Sequence, residues 1–353
     1  MTIPPGSTIG IIGGGQLGRM LSVAAAQLGY RTHIFDPHDH PPAADVAAFV
    51  TRADYDDLEA LRAFGAKVDI ATYEFENLPV AALDVLGARL LPSTRSLAIA
   101  QDRGREKAFI EGTGGRVTSW RTVSSLDEVR TAVAELGTPL VLKTRRYGYD
   151  GKGQAWVRES SEAEAAWKAI GEEPAVAEAG VDFMAEFSVI VARWEDGRHA
   201  FWDSPENEHG GGILRRSTVP CSAPVAAQVT EAREATLRIA EALGHVGVLT
   251  VEFFASPDGP LVNEIAPRVH NSGHWTIEGA VTSQFEQHIR AICGLPPGVT
   301  GLTRGHAVMD NLIGDDIDRW PELVAERGAH VHLYGKGEAR PRRKMGHVTR
   351  VIR

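Results

Sequence analysis

The chain has 353 residues, a length that exceeds one compact core and predicts two or three subdomains. With 43% hydrophobic and 24% charged residues it has the make-up of a globular enzyme, and its formal net charge of −9 argues against a nucleic-acid binder, which carries a basic stripe. The two cysteines, Cys221 and Cys293, have no metal-ligand spacing and read as free thiols of a reducing compartment. The start lacks a basic, apolar leader and no apolar run reaches about 18 residues, so a cytoplasmic protein with no membrane span is expected.

Residues 8–12 (TIGII) form a short apolar run and read as a buried strand. The turn Gly13-Gly14-Gly15-Gln16-Leu17-Gly18 follows, then a helix over 19–28 and a second strand over 30–35 that ends at Asp36. This βαβ unit has glycines at the G-x-G-x-x-G positions and an acid 18 residues beyond the last of them. One reading is a dinucleotide site, with pyrophosphate at the helix N-terminus and Asp36 on a ribose. The plainer reading is a tight βα turn, which favours glycine whatever it binds. Residues 68–72 (VDIAT) predict a third strand, whose C-terminal end puts Glu74 and Glu76 at the lip of a cleft or on a solvated loop. A further strand is predicted over 89–92, with a helix beginning at Ser93.

In the middle of the chain, residues 140–143 (LVLK) form an apolar strand that ends in Lys143. The segment 144–154 then carries Gly148, Gly151 and Gly153 together with Arg145, Arg146 and Lys152. Flexible and rich in donors, it suits a lid over polyphosphate, although the Walker spacing is absent. A solvated basic turn is the alternative; a lysine ending a buried strand speaks against it, because an unpaired buried ammonium is unfavourable. Residues 248–255 and 261–265 form two strands around the turn 256–259 (SPDG). In that hairpin Glu252 and Glu264 face each other, and a hard divalent cation such as Mg²⁺ would relieve their repulsion. A register slip exposing one of them is the alternative. The next residues, 266–276, hold Arg268, His270, Asn271 and His274, a dense polar stretch directly after a buried strand. Arg268 suits a developing phosphate charge and Asn271 could complete a metal's coordination. Most of the thirteen histidines read as surface or substrate-loop residues.

Several of these segments together resemble the ATP-grasp superfamily and, within it, the N5-carboxyaminoimidazole ribonucleotide synthetase family. The resemblance covers almost the whole chain. It is carried by GGGQLGRML from Gly13, YEFENLP from Tyr73, QDR from Gln101 with Lys107, and KTRRYGYDGKGQ from Lys143. It continues in SPENEHGGGILRRS from Ser204, NEIAPRVHNSGHWT from Asn263 and RPRRKMGHV from Arg340. The resemblance implies an α/β ATP-grasp fold with a Rossmann-like N-terminal domain (1–97), an ATP-grasp domain with a mobile lid lobe (98–293) and a small β-rich C-terminal segment (294–353) completing the substrate site. It further implies a homodimer.

It also implies roles. Lys107 and Lys143, with Gly148, Gly151 and Gly153 of the lid, would take the ATP phosphates. The segment from Glu178 to Val181 would take the adenine, and Glu186 the ribose. Glu252 and Glu264 would carry Mg²⁺. Arg268, His270 and Asn271 would serve the phosphorylation of bicarbonate. Gln16, Leu17, Glu74 and Tyr149 would hold aminoimidazole ribonucleotide, with Lys336, Arg343 and Lys344 on its phosphate and Asp150 accepting a proton from its amine. Arg342 stands where this family often has glycine, which predicts a differently shaped phosphate loop. The remaining alternatives are a related ATP-grasp ligase acting on another amine, a nucleotide-sensing module without catalysis, and an NAD-dependent oxidoreductase.

Overall fold

The run Thr8–Ile12 is buried along its whole length: strands flank both its edges, and its two faces pack into different cores, Ile9 and Ile11 into one and Ile12 into the other. The computed structural model describes residues 2–148 and 151–352, in which three sheets organise the chain. The first is parallel, in the order Phe49–Thr51, Arg31–Phe35, Thr8–Ile12, Ile70–Tyr73. The helix after the glycine turn spans Gln16–Gln27, three residues earlier than the local pattern predicts. Its first turn is capped from far away, by the carboxylate of Glu74 on the backbone N–H groups of Gly15 (2.7 Å) and Gly18 (2.9 Å). The strand expected over 89–92 does not form. Leu90 makes a single parallel bridge to Ala71, because Gly87 turns the chain at φ 53° just before it and Pro92 has no N–H to extend a ladder.

The second sheet is antiparallel, in the order Trp120–Val123, Ala175–Ala179, Leu140–Thr144, Gln154–Val157. Helices Leu126–Leu136 and Ala163–Ala169 close one of its faces around Val129, Val133, Leu140, Leu142 and Trp167. Ser125 caps the first of these helices through Glu128 N–H. The glycine-rich segment is the turn of the hairpin between Leu140–Thr144 and Gln154–Val157, with Lys143 opposite Gln154 at its base.

The third sheet has nine antiparallel strands and forms the body of the molecule. The hairpin Gly247–Ser256 and Gly259–Ala266 lies at one edge, followed inward by Ala185–Arg193, Glu206–Gly210 and Ile213–Val219. His306–Ile313, Lys344–Ile352 and Ala329–Leu333 extend the same sheet, so the C-terminal strands are continuous with the core rather than a separate layer. Helix Val229–Leu243 packs on it through Ala232, Ala235, Ile239, Ala240 and Leu243, the i, i+3, i+4, i+7 stripe of an amphipathic helix. One core joins the parallel sheet to this body: Ile9, Leu21 and Ile34 share it with Trp275, Phe285, Ile289 and Met309.

The expectation that most histidines lie at the surface or in substrate loops has exceptions in His33, His245, His274, His288 and His347, which are buried and hydrogen-bonded. His245 and His288 cross the seam between the parallel sheet and the body, with partners on distant elements that no local pattern reveals.

Candidate active site

A cleft of about 1250 Å³ opens where the three sheets meet. From the parallel sheet, Gln16, Leu17, Glu74 and Glu76 reach its wall, as strand ends of an open α/β sheet do. The dinucleotide reading of the glycine turn fails here. The anion seat at the helix N-terminus is filled by the protein's own Glu74 carboxylate, and Asp36 is spent on Gly14 N–H (2.7 Å), His38 N–H (2.8 Å) and the Tyr55 hydroxyl (2.8 Å). Neither group is left to receive a pyrophosphate or a ribose.

From the antiparallel lobe come Lys143, Gly148, Gly151, Gly153, Glu178 and Val181. Val141 is the register partner of Glu178, which sets Lys143 two residues along on the same face. The Lys143 ammonium lies 3.0 Å from Glu178 Oε2 and donates to Asn263 Oδ1 at 3.3 Å. Burial would raise the Glu178 carboxyl, but Lys143 and Lys107 outweigh it and hold it down at about 2. Lys107 itself, expected on the phosphates, does not line the cleft. It is 1% exposed and pairs with the far oxygen of Glu178 at 3.2 Å. Arg145, one of the cations of the glycine-rich segment, lines the cleft and is held by Asp102 through two hydrogen bonds, Nε to Oδ1 at 3.1 Å and Nη2 to Oδ2 at 2.7 Å. Gly151 and Gly153 sit at φ +78° and +69°, and a Cβ on Gly153 would run into the Thr144 hydroxyl, so the hairpin turn requires glycine there. Tyr149 and Asp150 lie outside the described residues.

The body supplies the charged floor. Glu252 and Glu264 are direct register partners, followed by a bulge between Glu252 and Phe253. Burial, and then the charge of Glu264, push the Glu252 carboxyl up to about 7. Glu264 is met by Arg103 Nη1 at 3.2 Å, and Glu252 has His270 Nε2 at 3.5 Å. Asn271 is buried with both amide atoms unpartnered among the described residues. Two opposed carboxylates and an unpaired amide oxygen suit a hard cation that also carries nucleotide phosphates, so the donor set fits Mg²⁺. No three His, Cys, Asp or Glu side chains converge as a closed metal cage among the described residues. Glu186 pairs with His209, whose imidazole is pushed upward: burial opposes this, but Glu186, Glu252 and Glu264 outweigh it. Arg268 donates from Nε to Glu76 Oε2 at 2.5 Å and from Nη1 to the Val269 carbonyl at 3.1 Å.

Lys336, Arg343 and Lys344 line the same cleft, and the Lys344 charge is near enough to act on Glu252 and His270. The Lys336 ammonium lies 5.4 Å over the Tyr334 ring, and Arg343 Nη1 donates to the Glu338 carbonyl. Arg342 adopts φ +68°, the left-handed conformation glycine favours, and its Nη2 donates to the Gly211 carbonyl at 2.9 Å.

Residue-type reasoning missed Asp102, Arg103, Glu106 and His209. Glu106 is 2% exposed, accepts from Ile265 N–H at 2.6 Å, and is pushed up to about 8, mainly by burial. The signal was an acid on the buried side of a helix between Arg103 and Lys107.

Profiles of three known families match successive parts of the chain: a ribonucleotide synthetase preATP-grasp domain over 6–101, an ATP-grasp domain over 108–285 and a phosphoribosylaminoimidazole carboxylase C-terminal domain over 307–353. N5-carboxyaminoimidazole ribonucleotide synthase of Brucella melitensis is 50% identical over 99% of this chain and 98% of its own. The chain belongs to the N5-carboxyaminoimidazole ribonucleotide synthase family of ATP-grasp ligases. The ADP complex of an N5-carboxyaminoimidazole ribonucleotide synthetase superposes with a TM-score of 0.95 at 42% identity, covering 99% of this chain and 94% of that one. The Aspergillus clavatus member, solved with ADP and 5-aminoimidazole ribonucleotide, gives 0.92 at 29% identity, covering 98% and 94%. Family membership and cleft agree in physical terms: paired acids, a lysine–glutamate pair and a basic loop line one cleft.

Proposed function

We propose that this chain uses ATP and bicarbonate to carboxylate 5-aminoimidazole ribonucleotide, forming N5-carboxyaminoimidazole ribonucleotide, ADP and phosphate in de novo purine biosynthesis. The observation that carries this reading is a single cleft that joins the acid pair Glu252–Glu264 and Lys143 to the basic set Lys336, Arg343 and Lys344. A nucleotide with its cation suits the first group, and a ribonucleotide monophosphate suits the second.

In this reading the 178–181 segment receives the adenine and Glu186 the ribose. Lys143 and the glycine hairpin hold the phosphates, and Lys107 reserves a second positive charge behind Glu178. Glu252 and Glu264, with Asn271, would hold Mg²⁺, which neutralises phosphate charge when bound. A bicarbonate oxygen attacks the γ-phosphorus, the bond to the ADP oxygen breaks, and carboxyphosphate forms. Arg268 balances the charge that spreads over the transferred group, with His270 and Asn271 orienting bicarbonate. His270 suits a neutral role, because burial and then Arg268 push its imidazole well down. The exocyclic amine then bonds to the activated carbon, or to CO₂ released from it, and phosphate departs. Gln16, Leu17, Glu74 and Tyr149 would fix the aminoimidazole ribonucleotide. Asp150 takes the proton the amine loses, so Asp150→Asn should lower kcat; a normal turnover number would remove it from that role.

The test is ADP release with MgATP and bicarbonate, with and without aminoimidazole ribonucleotide. Strong stimulation by that nucleotide, together with acid-labile fixed carbon, is the expected result. ADP release that ignores it and responds to another amine would keep the ATP-grasp chemistry and discard the substrate. The proposal extends to a cytoplasmic homodimer: the two free cysteines suit a reducing compartment, and light scattering should return twice the chain mass.

A further inference from the structure

The tripeptide Gln101-Asp102-Arg103 sits at the junction between the parallel sheet and the helix Arg103–Gly112, and each residue reaches a different wall of the cleft. Asp102 caps that helix through Gly104 and Arg105 N–H and clamps Arg145 at the base of the glycine hairpin. Arg103 reaches Glu264, and its backbone N–H donates to the Arg145 carbonyl at 3.0 Å. Gln101 turns the other way. Its Nε2 donates to the carbonyls of Glu76 and Leu78, both at 2.6 Å, and so fixes the backbone on either side of the Glu76–Leu78 turn. The carboxylate of Glu76 then takes Arg268 Nε at 2.5 Å, across 192 residues of sequence.

The guanidinium of Arg268, which lines the cleft, is thereby held at two corners, Nε by Glu76 and Nη1 by the Val269 carbonyl, and Nη2 has no hydrogen-bond partner among the described residues. An arginine side chain has several rotatable bonds, and its planar fork is useful only when its plane and heading are fixed. The pair is mostly enclosed, with side-chain exposures of 15% for Arg268 and 25% for Glu76, so water competes little for the contact.

We infer that Gln101 and Glu76 are positioning residues acting in series through Arg268: Gln101 holds the turn, the turn aims Glu76, and Glu76 aims the guanidinium at the group transferred in the cleft. This rests on the charge-balancing role proposed above for Arg268. A counter-ion that merely damped Arg268 gives the opposite sign: removing it would strengthen the attraction for an anion and leave the rate equal or higher.

The test is a set of mutant cycles read in the full reaction. Glu76→Ala should lower kcat about 10- to 100-fold and Gln101→Ala by about tenfold, the range expected when a catalytic group is misplaced by about an ångström. KM for ATP should stay unchanged in both. The double variant should lose no more than Glu76→Ala alone, and neither change should lower kcat further in an Arg268→Ala background. Glu76→Gln, whose amide oxygen can still accept from Nε, should recover part of the rate. If Glu76→Ala does not fold, Glu76→Gln in the wild-type and Arg268→Ala backgrounds gives the same comparison. Additive losses, or an undiminished loss in the Arg268→Ala background, would overturn the inference. An Arg268→Ala variant with normal kcat would instead reject the role of Arg268 itself.

Discussion

Replacing Glu252 by glutamine is expected to abolish turnover and, at the same time, to stabilise the nucleotide-free protein. The two effects share one cause. Glu252 and Glu264 are cross-strand partners in a buried hairpin, and like charges placed directly opposite each other destabilise a sheet. Burial and Glu264 already push the Glu252 carboxyl up to about 7, the mark of a charge the free protein holds at a loss. Glutamine keeps the shape and removes the repulsion, so Tm without nucleotide should rise by a few degrees. It also removes one of two hard anionic oxygens that a magnesium–nucleotide complex would use. Charge stabilisation of that kind is worth several kcal/mol, so kcat should fall about 10³-fold. Glu264→Gln should lose activity similarly but gain less stability, because it also strands Arg103. The measurements are kcat at saturating MgATP and Tm with and without MgADP. In the parent protein MgADP should raise Tm by mass action, and in both variants most of that shift should vanish. Variants that turn over normally with an unchanged magnesium requirement would remove the metal from this hairpin.

That acid pair was legible from the sequence because its determinants are local. The turn Ser256-Pro257-Asp258-Gly259 sets the hairpin, and apolar alternation sets which residues face each other. Lys143 was legible for the same reason, as a cation at the end of an apolar strand. The groups that escaped are those whose partners sit far along the chain. Glu74 looked like a cleft acid; it is also the cap of a helix 56 residues earlier, which is what closes the dinucleotide reading. Asp102 and Arg145 are 43 residues apart, and no local pattern announces the clamp they form at the base of the hairpin. Lys107 looked like a ligand-facing cation, yet it is buried and paired with Glu178, 71 residues away. The strand expected over 89–92 had the right composition, and only the turn at Gly87 and the missing N–H of Pro92 reduced it to one bridge. Periodicity and turn chemistry act over a few residues, whereas ion pairs between subdomains are fixed only when the subdomains dock.

The same distinction produces the second large expected effect, an acid instability carried by histidines at the docking seam. His288 accepts from Val248 N–H through Nδ1 (3.1 Å), so its proton is on Nε2, which donates to the Thr72 hydroxyl at 2.8 Å. His245 donates from Nε2 to the Val248 carbonyl at 3.0 Å and accepts from the Ser96 hydroxyl through Nδ1 at 3.1 Å. Both rings are fully buried and both tautomers are fixed by these partners. Burial is the main cause that pushes His245 down to about 4 and His288 down to about 3. The unfolded chain binds these protons near pH 6.5 and the folded chain does not, so folding free energy is complete above pH 6.5 and falls as pH drops toward 3–4. Each ring should contribute about 1.4 kcal/mol per pH unit over that interval. His274 and His347, also buried and also pushed well down, add to the same slope. Urea midpoints measured between pH 7.5 and 5 should therefore fall steeply in the parent protein. His288→Gln should lower the midpoint at pH 7.5, where its hydrogen bonds are weakened, and should flatten the slope by the share of one ring. The difference between parent and variant should thus shrink as pH falls. Because Thr72 lies two residues before Glu74, the variant should also raise KM for aminoimidazole ribonucleotide more than KM for ATP. Parallel pH profiles for parent and variant would show that the seam histidines do not set the acid limit.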